Sequence, residues 1–386
     1  MLPRILIADD LTGAADSGVH FASVGACIAV HPVAGWRRFS RECRVRVYDT
    51  ETRSAAPNEV REHLRDLATR LRRRSVAPGA CFKKIDSTLH GPISTELDVL
   101  VAALRARAVV VCPALPKQGR TTIDGRLVLD GIATERVAEV LGRDAAELRL
   151  ADVRRGTSAI IDALDQCSRG TDCIVVDAET DADLDLVAAA LKVRQDLLPV
   201  GSSGLASAYA RQANLRASDV HPPQSALVLV LVGSSNPAAL EQFDELCRAA
   251  GVLSMAIGDD APRAADIASD ALRASETAVV AVRIRAEAVA AKSALDAVQQ
   301  AVTDFTTELR PALGDATLVL TGGATAVAAC RALGIERLRP RGELLPGVVW
   351  SLAEQPARTV VVTKAGGFGD RRLLARVVSA LTGERR

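Results

Sequence analysis

Lysine is scarce in this sequence: only six of the 48 basic residues are lysines (Lys83, Lys84, Lys117, Lys192, Lys292 and Lys364), and the rest are arginines. Also missing is any excess of one charge, since the formal net charge over 386 residues is +1. That balance removes the electrostatic case for binding DNA or RNA. No apolar run approaches the about 18 residues that a membrane span needs, and the opening MLPRILIADD enters a short apolar run that an acidic pair ends. These features predict no signal peptide, no membrane partner and a cytoplasmic protein. The eight cysteines include no CxxC pair and no histidine at zinc-ligand spacing, so they read as reduced, buried thiols rather than a metal or disulfide framework.

Familiar catalytic signatures are absent too. There is no GxxxxGK[ST] loop, no GxGxxG with an acidic residue at the right distance, and no GxSxG elbow. A Walker-type ATPase, an ordinary NAD enzyme and an acyl-transfer serine enzyme are therefore unsupported.

What is present is a repeated alternation. Short Val-, Ile-, Leu- and Ala-rich runs (Arg4–Ala8, Arg44–Asp49, Ala80–Lys84, Ala108–Val111, Cys173–Val176, Leu198–Val200) are separated by stretches with helical periodicity, including Gly13–Val24, Pro57–Arg72, Ile93–Arg105 and Asp181–Val193. The periodicity lapses at NLRASDVHPPQS, residues 214–225, and then resumes with strands at Ala226–Val232, Ala278–Ile284, Thr317–Leu320 and Thr359–Thr363. Helices are predicted near Ala238–Ala250, Ala286–Leu309 and Thr325–Leu333, with a closing one from Arg371. The pattern predicts an α/β protein of two domains, 1–214 and 226–386, each a mostly parallel sheet flanked by helices with the active site in the cleft between them.

In such sheets ligands bind beyond the carboxyl ends of strands. After the first strand stand Asp9 and Asp10 followed by Leu-Thr-Gly, which fits a helix N-cap and also fits a binding or metal site. Lys83, Lys84, Ile85, Asp86, Ser87 and Thr88 gather two cations, a carboxylate and two hydroxyls at another strand end. Lysines supply charge to carboxylate or phosphate oxygens, and Asp86 offers an acceptor for a substrate hydroxyl. Lys117 lies in a third polar segment stiffened by two prolines and a glycine. The second half offers glycine turns instead: Gly233-Ser234-Ser235-Asn236, Gly322-Gly323-Ala324-Thr325, and Gly366-Gly367 after Lys364. Glycines let the backbone approach phosphate, and three such turns after apolar strands point to a nucleotide. Four of the six lysines fall in these turn segments, where a compact flexible charge suits phosphate.

The motifs IADDLTGAADSG, ETR (Glu51–Arg53), KKIDSTLHG, PALPKQGRTTIDGRL, TGGATA and TKAGGFGD occur in that order, and together the chain resembles the four-carbon acid sugar kinases. The resemblance runs from Ile5 to near the C-terminus. It implies a sugar-acid-binding N-terminal domain using Asp9, Arg53, Lys84, Ile85, Asp86 and Ser87. It also implies a nucleotide-binding C-terminal domain using Ser234, Gly322, Gly323, Ala324, Thr325 and Gly366. ATP would phosphorylate the terminal hydroxyl of threonate, erythronate or a 3-oxo-tetronate, with Mg²⁺ bridging the phosphates and Asp86 or Asp9 as base. Two positions depart from the family pattern: His90 stands where these kinases usually carry Arg, and Ala324 where they usually carry an acidic residue. A non-catalytic sugar-acid sensor of the same fold is the alternative reading, and a homo-oligomer is compatible with the sequence.

Overall fold

A computed structural model describes residues 2–30, 42–215, 220–249, 251–257, 261–274, 278–285, 291–355 and 359–383. The chain divides into two compact units, Met1–Ala26 with Phe39–Arg216, and Cys27–Arg38 with Ala217–Arg386. The start of the helix expected from Ala286 lies outside the described residues.

The strands of the first part of the chain are β1 (Ile5–Ala8), β2 (Ala26–Ala29, most of which belongs to the second unit), β3 (Val45–Asp49), β4 (Cys81–Lys84) and β5 (Ala108–Cys112). They are followed by β6 (Arg120–Ile123), β7 (Arg126–Leu129), β8 (Ile132–Arg136), β9 (Ala146–Leu148), β10 (Cys173–Val176) and β11 (Leu197–Gly201). A parallel sheet runs in the order β3-β1-β4-β11-β5-β10-β9. β5 and β10 are buried along their whole length. Continuous apolar runs of that kind suit strands covered on both faces. The helix Pro57–Arg73 starts with proline at its first turn, where Glu59 accepts the Ala56 N–H at 2.8 Å, and it buries Val60, Leu64, Leu67 and Leu71 on one stripe. Proline there gives up a donor that would have no partner anyway.

β6, β7 and β8 form a separate antiparallel sheet where the sequence reading has only a polar loop. Its two turns are Asp124-Gly125 and Asp130-Gly131, all four residues at positive φ. Asp-Gly is the pair that such tight hairpin turns favour, and it was the available signal.

The second unit contributes β12 (Leu227–Val232), β13 (Val252–Ile257), β14 (Ala278–Ile284), β15 (Thr317–Thr321), β16 (Arg337–Leu345), β17 (Val348–Ala353) and β18 (Val360–Lys364). β13, β14, β12, β15 and β18 are parallel in that order. β17 then pairs antiparallel with β18, β16 with β17, and β2 with β16. This antiparallel edge also escaped the periodicity. Charges alternate through Arg337, Arg339, Arg341 and Glu343, and Pro340 interrupts the run. Among the described residues no helix is long and apolar enough to cross a membrane. Cys81, Cys112, Cys173 and Cys330 are buried free thiols, but Cys27 and Cys43 are not free, which corrects the expectation of thiols throughout. No spacing motif marks that pair of residues.

Candidate functional site

In the first unit the chain leaves β1 for β3 on one side and then returns across it to β4, so the segments after these three strands meet at the carboxyl edge. That is the switch point where open parallel sheets bind ligands. After β1, Asp10 caps the helix Leu11–Gly18: it accepts the Gly13 N–H at 2.7 Å and the Thr12 hydroxyl at 2.8 Å. The cap reading of the acidic pair therefore holds for Asp10. Asp9 is almost fully buried, and its backbone carbonyl accepts the N–H groups of Thr52 and Arg53 at 3.0 and 3.1 Å. This pins the turn after β3 onto β1. Glu51 in that turn has φ 52°, a left-handed conformation costly for a non-glycine residue, and its N–H is held by Asp49 Oδ1 at 2.9 Å.

Arg53 is thereby aimed at three carboxylates. Its Nε and Nη2 donate to both oxygens of Asp9, the latter at 2.9 Å, and it lies 3.4 Å from Asp10 and 3.6 Å from Asp86 Oδ1. Burial pushes the Asp9 carboxyl up, but Arg53, aided by Lys83 and Lys84, outweighs it and holds Asp9 below its ordinary range. Asp86 is opposed by burial in the same way. Hydrogen bonds from His90 and Thr88 and the charges of Arg53 and Lys84 leave it strongly ionised. Its Oδ2 accepts from the Thr88 N–H at 3.1 Å and from the Thr88 hydroxyl, and faces His90 Nδ1 at 3.1 Å, so Oδ1 is the less crowded oxygen. The same hydrogen bond raises the exposed His90 imidazole above its ordinary value.

The two lysines of β4 part company, as neighbours on a strand must. Lys83 is fully buried and donates to Glu96 Oε1 at 2.8 Å, an oxygen that also accepts the Thr52 hydroxyl at 2.6 Å. Lys84 lies beside Gly13, where an added Cβ would come within 3.1 Å of its Nζ. It is 5% exposed and has no hydrogen bond or ion pair among the described residues. Ile85 is buried, its N–H on Gly201 O at 2.9 Å, and the Ser87 hydroxyl accepts from Arg120 Nη1. Lys117 is exposed, 4.0 Å from Asp181. Glu96 and Asp49 are not singled out by the sequence, and Arg120 is marked there only as part of the polar segment that carries Lys117. Asp49 is fully buried with Oδ2 unpartnered, and burial together with Glu51 pushes its carboxyl well up.

In the second unit the three glycine turns follow β12, β15 and β18, which are neighbours in the sheet. An added Cβ on Gly233 would fall 2.3 Å from Thr325 Oγ1, and one on Gly366 would fall 2.1 Å from Ser234 Oγ. The turns are thus packed against one another with no room for side chains, and Gly322 adds φ 98°. Gly323, Ala324 and Thr325 open a helix whose cap residue, Gly322, offers no side-chain acceptor. Its first N–H groups are of the kind that bind anions. Gly367 lies against Asn236, which caps the helix Pro237–Cys247 by accepting the Ala238 N–H at 3.0 Å.

Lys364, at the end of β18, is fully buried and donates to the carbonyls of Ala365 and Gly366 at 2.9 and 3.2 Å. Burial pushes its ammonium down to about 7 from the ordinary 10.5. Between these values the unfolded chain holds a proton that the folded chain lacks. The stability Lys364 contributes is therefore complete above 10.5 and is lost as pH falls through about 7. Wild type should gain on Lys364→Met by on the order of 3 °C in Tm per pH unit between these limits. A pH-independent difference in paired melts would contradict this.

A family described as a sugar-binding N-terminal domain matches residues 4–139 and 132–209, and one described as a nucleotide-binding C-terminal domain matches residues 229–374. D-threonate kinase of Salmonella typhimurium is 30% identical, with 96% of each chain covered. D-threonate kinase of Bordetella bronchiseptica is 32% identical over 97% of this chain and 96% of its own. A 3-oxo-tetronate kinase of Brucella melitensis is 28% identical over 74% and 73%. A solved structure from Salmonella typhimurium LT2 superposes with TM-score 0.78 at 22% identity, covering 98% of this chain and 99% of its own, a likeness of fold alone. With both domain families matched in order and relatives aligned almost end to end, the chain belongs to the four-carbon acid sugar kinase family.

Proposed function

We propose that the protein is an ATP-dependent kinase that phosphorylates the terminal hydroxyl of a four-carbon sugar acid, with the acceptor held by the first unit and the nucleotide by the second. The observation that carries this is Lys84: a buried ammonium with no hydrogen bond or ion pair among the described residues, its charge felt by Asp9 and Asp86 in a carboxylate–guanidinium cluster at a sheet switch point. Its three N–H donors have no acceptor among the described residues, and the oxygens of an anionic ligand supply them. Kinases acting on threonate, erythronate and 3-oxo-tetronate among the relatives agree with an acid of this size.

The reaction places charge on the transferred phosphoryl group while the acceptor O–P bond forms and the bond to the leaving phosphate breaks, so positioning and charge neutralisation dominate. Arg53 and Lys84 bind the carboxylate of the acid or screen the transferred group. Asp86 presents Oδ1 to the hydroxyl and takes its proton late. Ser234, the Gly322–Thr325 turn, Gly366 and Gly367 bring backbone N–H groups to the phosphates. Mg²⁺ supplies further neutralisation when bound. Among the described residues no three carboxylates of these turns gather within ligand range of one another. Mg²⁺ there would rest mainly on the phosphate oxygens and water, and it would supply charge neutralisation without a dedicated protein cage.

Arg53→Ala is expected to weaken sugar-acid binding by about 10- to 100-fold, the cost of losing a charge-assisted contact, with ATP affinity nearly intact. Calorimetric titration of each ligand checks this; equal loss of both affinities would contradict the division of labour.

A further inference from the structure

Gly233, Ser234 and Ser235 line a cavity of about 540 Å³ on the second unit, and Arg283 and Arg285 line it with them. Arg283 is paired in register with Val232, the residue before Gly233, so the end of β14 stands directly beside the first glycine turn. Arg285 is tied by its N–H to Ile257 O at 2.7 Å. Residues two apart on an extended strand share a face, and both arginines line this cavity.

Several other arginines of the unit are matched to acids: Arg337 and Arg339 to Glu354, Arg371 to Glu245, and Arg376 to Asp370. Among the described residues Arg283 and Arg285 have no ion pair, and those that line the cavity include no aspartate or glutamate. Half-buried Arg283 and exposed Arg285 thus give the cavity a cationic lining beside a glycine–serine turn, and the planar fork of arginine suits phosphate oxygens. The volume is that of an ordinary small-ligand pocket.

Resting on the nucleotide reading above, we infer that Arg283 and Arg285 clamp the polyphosphate of the bound nucleoside triphosphate and set its preference for three phosphates over one. They act on the ligand from the strand beside the first glycine turn, and they add positive charge to turns whose own N–H and hydroxyl donors are neutral.

The test is calorimetric titration of the full chain with ATP, AMP and adenosine, using wild type, Arg283→Gln, Arg285→Gln, the double variant and Arg283→Lys. Each Gln variant should weaken ATP binding by about 10- to 100-fold while adenosine affinity stays within about 2-fold of wild type, and the Lys variant should recover part of the loss. Wild-type ATP affinity in the double variant overturns the inference and leaves the nucleotide reading intact. An equal loss for adenosine also overturns it, because the arginines would then shape the unit rather than hold phosphate. Failure of wild type itself to bind ATP sinks the nucleotide reading and this inference together.

Discussion

Asp86→Asn is expected to lower kcat by on the order of 10²–10⁴-fold while moving KM for the sugar acid far less. The reason lies in how the two candidate carboxylates are employed. Asp9 is buried with both oxygens engaged by Arg53. Asp86 commits Oδ2 to Thr88 and His90 and leaves Oδ1 at 3.6 Å from Arg53, the nearest cation. An asparagine keeps the size and one acceptor but cannot take a proton. Because Asp86 is held strongly ionised, it is a weak base, and its help comes late, when the attacking hydroxyl has become acidic. Steady-state kinetics of both Asn variants decide the matter. A purely binding role for Asp86 would raise KM and spare kcat, and near-native kcat in Asp86→Asn with none in Asp9→Asn would transfer the base to Asp9.

Gly366→Val should cost on the order of 100-fold or more in ATP affinity while sugar-acid binding persists. The added Cβ alone would sit 2.1 Å from Ser234 Oγ and 2.9 Å from Ser234 Cβ. It must therefore displace one of two turns assigned to the nucleotide, and valine adds two methyl groups beyond it. Nucleotide titration of a folded variant checks this, with a sugar-acid titration as the internal control. Unchanged ATP affinity would remove Gly366 from the site.

Much of this architecture was legible because buried parallel strands advertise themselves: LVLVLV in β12 and AVVVC in β5 need no partner to be recognised. The strand-end turns could be read for the same reason, since polar chemistry directly after such runs has few structural explanations. What escaped depended on contacts between residues distant in sequence. Lys83 and Lys84 are indistinguishable as letters, yet one meets Glu96 on the helix Ile93–Leu104 and the other makes no hydrogen bond or ion pair among the described residues. Asp9 and Asp10 likewise divide into an arginine partner and a helix cap only once the turn after β3 is laid over β1. The hairpins of β6 to β8 were missed for a different reason: their Asp-Gly turns were present in the sequence, but a proline-stiffened polar stretch hid the strands around them.

The most direct test of the kinase assignment is to incubate the full-length protein with ATP, Mg²⁺ and a panel of four-carbon acids that includes both epimers of threonate and erythronate, and to follow phosphorus by NMR. The account predicts that at least one acid is converted to a phosphate monoester, with one ADP formed for each ester. Binding of both ligands without any ester from the panel would contradict it and leave a sensor in place of a kinase.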